Sequence, residues 1–206
     1  MYVEVDHPCV QHKLALIRDK DTGHKKFREL TNEITMFVCY EALKRVEVEE
    51  VQVETPVATA TCHRIANDIV VVPVLRAGVG MLEGILGLLP NARVGFVGME
   101  RDEETALPKE YYKKLPTFRK DALYIVVDPM LATGGSTIAT LDLLRAGGVE
   151  NAIVVCMVTC PEGIAAVEGS HPDVPIYTAA VDDHLNEKKY IVPGLGDAGD
   201  RLYGTI

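Results

Sequence analysis

The densest run of chemistry-bearing residues is Asp128-Pro129-Met130-Leu131-Ala132-Thr133-Gly134-Gly135-Ser136-Thr137, entered from the apolar stretch Ile125-Val126-Val127. Ala132 to Thr137 are small, so consecutive backbone N–H groups can curl around an anion. Thr133, Ser136 and Thr137 add hydroxyl donors, and a helix beginning at Gly135 adds its positive end. Asp128 falls at the carboxyl end of a strand, where open α/β sheets bind ligands, and is placed to accept from ribose hydroxyls. A carboxylate beside an anion cradle points to a phosphorylated sugar more than to a bare anion. A plain βα turn with Ser or Thr as its N-cap is the structural alternative, but it needs neither Asp128 nor such a run of small residues. No Lys follows Gly135, so this is not G-x-x-x-x-G-K-[ST], and nucleoside triphosphate hydrolysis on a P-loop is disfavoured.

Three further groups face the same question. Arg76 and Arg101 each stand at the carboxyl end of a strand, where they point toward the rim that holds Asp128. Two guanidiniums converging there suit a diphosphate, since each can fork onto phosphate oxygens; surface ion pairs with Glu83 or Glu100 are the alternative. Gly78, Gly80 and Gly84 make an inexact dinucleotide fingerprint, with Glu100 beyond them as a candidate ribose acid. It leaves Asp128 to Thr137 unexplained. Pro193, Gly194, Gly196 and Gly199, inside Tyr190 to Arg201, build a rigid loop of close approach whose backbone can meet a flat ligand. Peptide C=O and N–H groups alone can read a base with one N–H flanked by two carbonyls; an ordinary C-terminal turn is the competing reading.

Strand–helix alternation positions these groups. Ile69–Leu75, Val94–Met99, Ala122–Asp128, Ala152–Thr159 and Val174–Val181 read as buried, β-branched strands. Gly80–Leu89, Gly135–Ala146 and Pro161–Glu168 read as helices between them. Pro73 removes a ladder donor and is expected near a sheet edge or strand end. The pattern predicts right-handed crossovers and an open, mostly parallel α/β sheet flanked by helices. Phe27 to Ala42 forms an N-terminal amphipathic helix, and Val46 to Thr55 reads as strands on an edge or in a hairpin. Arg101 to Lys120 is a protruding loop or β-arm. A single domain is expected, with residues 1–60 as N-terminal helix and edge strands, 69–181 as the α/β core and 182–206 as a surface-hugging tail or lid.

The bulk properties bound the function. A chain of 206 residues can bury a sizeable core. Its net charge of −9 disfavours a general nucleic-acid binder, which needs a basic footprint. A regulator that binds RNA would need a basic face, and Lys13, Lys25-Lys26 and Lys113-Lys114 are too scattered to make one. The most apolar stretch, Ile69 to Pro90, is interrupted by Arg76 and Glu83, so no membrane span is expected. Five cysteines without metal-type spacing read as reduced and structural, as do the six histidines. With no signal-peptide pattern at the start, the cytoplasm is the expected compartment.

At these residues the sequence resembles the uracil phosphoribosyltransferases, type I phosphoribosyltransferases. Val127 to Ser136 is similar to that family's loop for 5-phosphoribosyl 1-diphosphate (PRPP), and Tyr190 to Arg201 with Tyr203-Gly204-Thr205 to its uracil-binding tail. Pro73-Val-Leu-Arg-Ala-Gly78, Arg101-Asp-x-Glu-Thr105, Pro161-Glu-Gly-Ile-Ala165 and His7-Pro8 with His12-Lys13 also fit in order. The resemblance implies a phosphoribosyltransferase-like fold with a C-terminal hood, and transfer of the phosphoribosyl group to N1 of uracil, giving UMP and diphosphate in pyrimidine salvage. It assigns Arg76, Arg101, Asp128 and Asp197 to catalysis. PRPP would be bound by Arg76, Arg101, Asp128, Pro129, Met130, Leu131, Ala132, Thr133, Gly134, Gly135, Ser136 and Asp197. Uracil would be bound by Ile191, Gly196, Asp197 and Ala198, largely through backbone. Asp128-Pro129 stands where many phosphoribosyltransferases have two adjacent acids, which implies a Mg²⁺ cofactor held weakly by protein, with no dedicated metal ligand. The family also implies a homodimer or higher homo-oligomer, and leaves open whether a nucleotide such as GTP activates the enzyme. Two positions depart: Lys189 replaces a usual glycine before Tyr190-Ile191, and Glu100 stands where an aromatic is common. A positive φ at 189 would make the first departure matter for the tail's conformation.

Overall fold

Alternating burial on two faces organises the chain, seen in a computed structural model that describes residues 1–101 and 108–205. The first part carries β1 (Tyr2–Glu4), α1 (Pro8–Arg18), α2 (His24–Ala42), and a hairpin of β2 (Val48–Glu54) and β3 (Thr59–Ile65). Then come β4 (Ile69–Leu75), a 3₁₀ turn over Ala77–Met81, α3 (Leu82–Leu88), β5 (Arg93–Val94), β6 (Phe96–Arg101) and β7 (Pro108–Lys114). The centre holds β8 (Leu123–Val127), β9 (Met130–Leu131), α4 (Gly135–Ala146), β10 (Ala152–Val155), β11 (Val158–Thr159) and α5 (Pro161–Ser170). Last are β12 (Ile176–Thr178), β13 (Ala180–Val181), β14 (His184–Leu185), β15 (Ile191–Val192) and α6 (Ala198–Tyr203).

The main sheet runs β1-β12-β10-β8-β4-β6-β7, with β5 also on β4; every described pair is parallel except β6 with β7. Val71, Ile125, Val127, Ile153 and Val155 face α1, α2 and the hood. Val70, Val72, Tyr124, Val126 and Val154 face α4 and α5. Both faces are buried, which is why these strands read as unbroken β-branched runs. On α2, Phe27, Leu30, Ile34, Val38 and Ala42 are buried at helical spacing, each contributing roughly 1–3 kcal/mol of burial according to size.

Several expectations shift in detail. Pro73 lies on an interior strand and not at a sheet edge, two residues before the end of β4, so of the two expected places it takes the strand end. The Val71 carbonyl accepts from Gly95 N–H, so residue 73, two positions on, faces the same neighbour. That is the junction where the ladder passes from β5 to β6, and the absent N–H falls at this break. The strands expected at 152–159 and 174–181 each break in two. β8, β10 and β12 bend beyond their ends and continue as β9, β11 and β13, a small sheet of order β13-β11-β9. Bulge-like sharing fixes the bends: the Pro129 carbonyl accepts from both Met157 and Val158 N–H, and the Met157 carbonyl from Ala179 and Ala180. The 101–120 excursion is a β-arm of β6 and β7, whereas residues 102–107 of that segment, and Ile206, lie outside the described residues. β1 and α1 were not foreseen; α1 starts at Pro8 behind an N-cap in which His7 Nδ1 accepts from Cys9 N–H.

Candidate active site

β8 and its continuation bring the first group of candidates to the carboxyl edge of the sheet. Asp128 follows Val127 directly, and its Oδ1 accepts from Met130 N–H at 3.4 Å. Burial pushes this carboxyl up to about 7; the Met130 bond works against the rise and the nearby charge of Asp197 adds to it. Among the described residues no ion pair involves this carboxylate.

Beyond it the backbone passes through Met130 and Leu131 into the loop Ala132 to Ser136. The Leu131 side chain is buried, and its carbonyl accepts from Thr159 Oγ1 at 2.9 Å. The buried Pro129 gives its carbonyl to β11. These two residues hold the loop's base against the small sheet. Gly134 caps α4 with φ of +80°, a left-handed conformation that a side chain would oppose. It provides no side-chain cap; Gly135 N–H donates to Thr133 Oγ1 at 3.5 Å, and the N–H groups of Ser136 and Thr137 fall in the first turn of this twelve-residue helix, which has no carbonyl of its own to offer them. Thr133 is exposed, and Gly135 and Ser136 are half-buried.

Arg76 comes off the end of β4, after a cis peptide at Leu75–Arg76. Gly78 allows the following turn to press on β8: a Cβ there would lie 2.5 Å from the Val127 carbonyl oxygen and 3.2 Å from Pro73 Cα. The guanidinium Nη2 is 3.4 Å from Asp200 Oδ1, so its ion pair is with the C-terminal segment and not with Glu83, whose carboxylate accepts from Asn32. Asp200 Oδ1 also accepts from Thr205 Oγ1 at 2.6 Å, and Tyr203 Oη donates to the Arg76 carbonyl at 3.1 Å. Asp197 is the N-cap of α6, accepting from Asp200 N–H at 2.9 Å. A Cβ on Gly199 would sit 3.2 Å from Asp197 Oδ1 and 3.7 Å from Arg76 Nη2. Arg76, Asp128 and Asp197, distant in sequence, therefore share one rim. Arg101 ends β6, but its side chain and Asp102 to Thr105 lie outside the described residues.

The C-terminal segment is a packed hood. Ile191, Leu195, Ala198 and Leu202 are buried in the same core as α1 and α2. The hood's turn holds a cis Val192–Pro193 bond, with φ of +61° at Gly194 and +79° at Gly196. In the β14–β15 loop, Asn186 Oδ1 accepts from Lys188 and Tyr190 N–H, and Lys189 has φ of +65°. The departure at 189 thus sits where glycine is favoured.

Sequence reading missed the residues behind the hood. Asp182, buried after β13, forms a two-pronged ion pair with Arg18 at 2.6 and 2.7 Å. Arg28 donates to the Leu202 carbonyl at 2.7 Å. Arg201 donates to the Leu195 and Asp19 carbonyls at 2.8 and 2.5 Å, with its guanidinium 4.5 Å above the Phe27 ring. The partners are far apart in the chain, and only α1 gives a cue, because Arg18 follows the apolar positions Val10, Leu14 and Ile17.

The glycine fingerprint after β4 has a different use. Gly78 packs on the Val127 carbonyl, and a Cβ on Gly80 would lie 2.7 Å from a Leu202 methyl. Both glycines serve close packing within the protein. Among the described residues no cluster of His, Cys, Asp or Glu could hold a metal by itself, and no helix is long and apolar enough to cross a membrane.

An open, mostly parallel sheet, a loop of small residues entering α4 and a C-terminal hood define the phosphoribosyltransferase fold. A hypoxanthine-guanine phosphoribosyltransferase from Bacillus anthracis shares that fold, with a TM-score of 0.54 at 14% identity over 77% of this chain and 80% of that one. The chain belongs to the uracil phosphoribosyltransferase family, which it matches over residues 3–205. It is 55% identical over 204 residues to the uracil phosphoribosyltransferase of Symbiobacterium thermophilum, with 98% of each chain covered. The corresponding protein of Ligilactobacillus salivarius is 53% identical over 202 residues, 98% of this chain and 97% of that one. The solved structure of the AQ2163 protein from Aquifex aeolicus matches with a TM-score of 0.94 at 40% identity, covering 100% of this chain and 99% of that one.

Proposed function

We propose that this chain catalyses its family's reaction, transferring the phosphoribosyl group of PRPP to N1 of uracil, with the residues of the shared rim in defined roles. The C1–N1 bond forms, the C1–O bond to diphosphate breaks and the N1 proton is released. Departure of diphosphate ahead of attack leaves positive charge on the sugar, so the protein acts by positioning and by stabilising separated charge. Arg76 and Arg101 take the diphosphate. Asp128 accepts from the ribose hydroxyls, while the backbone from Ala132 to Ser136 holds the 5′-phosphate. Ile191, Gly196 and Ala198 meet uracil through backbone groups, and Asp197 faces both substrates. The observation that carries this reading is the meeting of Arg76, Asp128 and the Asp197 cap at the end of β8, from which the chain enters the Ala132 to Ser136 loop.

Mg²⁺ fits this site. Asp128, pushed up to about 7 with Asp197 nearby, is the kind of carboxylate a cation relieves, and Mg²⁺ often binds through one or two carboxylates plus substrate phosphates. When bound it neutralises diphosphate charge; Asp128 and Asp197 are the residues that would hold it.

A homo-oligomer is supported by exposed apolar surface. Val48, Val53, Val57 and Ile65 of the β2–β3 hairpin are exposed, and a two-stranded hairpin alone is marginal. A groove of about 610 Å³ lies along Val5, Met36, Phe37, Tyr40 and Leu88. Light scattering on the purified protein reads the assembly. Five free cysteines suit a reducing, cytoplasmic setting, and activation by GTP is carried over from the family resemblance. Mixing protein, Mg²⁺ and PRPP with uracil, cytosine, orotate, hypoxanthine or adenine tests the reaction: diphosphate appears with uracil, and release only with a purine would overturn the reading. Repeating the uracil reaction with added GTP reads the activation.

A further inference from the structure

We propose that Arg18 and Asp182 are a positioning pair that fixes the base-facing turn of the hood relative to the sugar-phosphate cradle. The inference rests on the reading of Ile191 to Ala198 as the uracil site. Asp182 has a side chain only 6% exposed, yet it carries a carboxylate. Its oxygens accept from Arg18 Nη1 and Nη2 and from Gly194 N–H at 2.8 Å. Arg18 Nη1 also donates to the Gly194 carbonyl at 2.8 Å. Both backbone polar groups of one residue are thereby taken by one ion pair. Gly194 becomes the fixed point of the turn, with Ile191 and Gly196 on either side of it.

The other end of this linkage reaches the cradle. Asp182 N–H donates to the Thr159 carbonyl at 2.8 Å, at the end of β11. β11 pairs with β9, and Thr159 Oγ1 donates to the Leu131 carbonyl immediately before Ala132. A continuous chain of hydrogen bonds therefore runs from the start of the anion loop through Asp182 to the turn that faces the base. A forked guanidinium–carboxylate contact has defined geometry as well as strength, which suits holding two half-sites at one spacing. A generic stabilising pair would have no reason to grip both polar groups of Gly194.

Steady-state kinetics of Asp182→Asn and Arg18→Lys, varying uracil and PRPP separately, test the proposal. Asn keeps the shape but turns donors toward Arg18; Lys keeps the charge and loses the fork, which covers the case in which the Asn protein does not fold. The expected result for Asp182→Asn is a rise of about tenfold in KM for uracil, equivalent to about 1.4 kcal/mol, with KM for PRPP within twofold. Arg18→Lys moves in the same direction by about threefold. Folded variants with a lower Tm and an unchanged uracil KM would overturn the positioning role, and so would a parallel rise in both constants. If the parent protein itself forms no UMP, the uracil reading fails instead, a distinct outcome.

Discussion

Asp128→Asn separates the two demands placed on the strand end, because it should make the free protein more stable while making it a poor enzyme. The Asp128 carboxyl rises from an ordinary 3.8 to about 7, first because it is buried. The folded protein therefore binds this proton more tightly than the unfolded chain does. The group's contribution is fully present below about pH 4 and is lost as pH climbs toward 7. The rise corresponds to an upper bound of about 4 kcal/mol; side-chain access to water at the rim reduces this to about 2 kcal/mol. For a chain of 206 residues, that gain raises Tm by roughly 4–8 °C. Thermal melts of parent and variant without ligand should diverge at pH 8 and converge near pH 4. Losing a charged acceptor for the ribose hydroxyls should lower kcat/KM for PRPP by about 10–100-fold. In the parent, kcat/KM for PRPP should increase as pH passes through about 7, since that ratio reports the free enzyme. A variant less stable than the parent at pH 8, or one with full activity, would refute the assignment of a strained, ligand-facing carboxylate.

Arg76 is 58% exposed, so Arg76→Ala should leave Tm almost unchanged while lowering turnover by about 10²–10³-fold with uracil affinity retained, as titration calorimetry would show. Gly78→Ala puts a methyl against two backbone segments, at 2.5 and 3.2 Å; chemical denaturation should show a loss of about 1–3 kcal/mol, and activity should fall because Arg76 is displaced with the turn. Lys189→Gly relieves a φ of +65° and, after the added freedom of the unfolded glycine, should stabilise the protein by up to about 1 kcal/mol, read by the same denaturation series.

The parts of the fold that were legible in the sequence are those whose burial is local in pattern. Ile69 to Leu75 and Ala122 to Val127 are apolar on both faces because helices cover both sides of the sheet. The Ala132 to Thr137 run marked a tight entry into α4, where Gly134 takes a φ of +80°. What stayed hidden depends on distance along the chain. α1 buries only Val10, Leu14 and Ile17, while Ala15 and Leu16 between them are exposed, so no clean apolar stripe stands out. The breaks after Val127, Val155 and Thr178 come from shared carbonyls between neighbouring strands, and no single strand encodes that. Arg18, Arg28 and Arg201 look like surface charges until the hood folds back onto α1 and α2 and supplies the carbonyls and the carboxylate they grip. Lys189 shows the opposite case, a departure visible in sequence whose positive φ only the folded loop reveals.

A crystal structure with UMP bound tests the central claim most directly. The account predicts the phosphate against the backbone N–H groups from Ala132 to Ser136, the ribose hydroxyls at Asp128, and the pyrimidine edge on the backbone of Ile191, Gly196 and Ala198. Phosphate density away from that loop, or a base turned away from the hood, would contradict it.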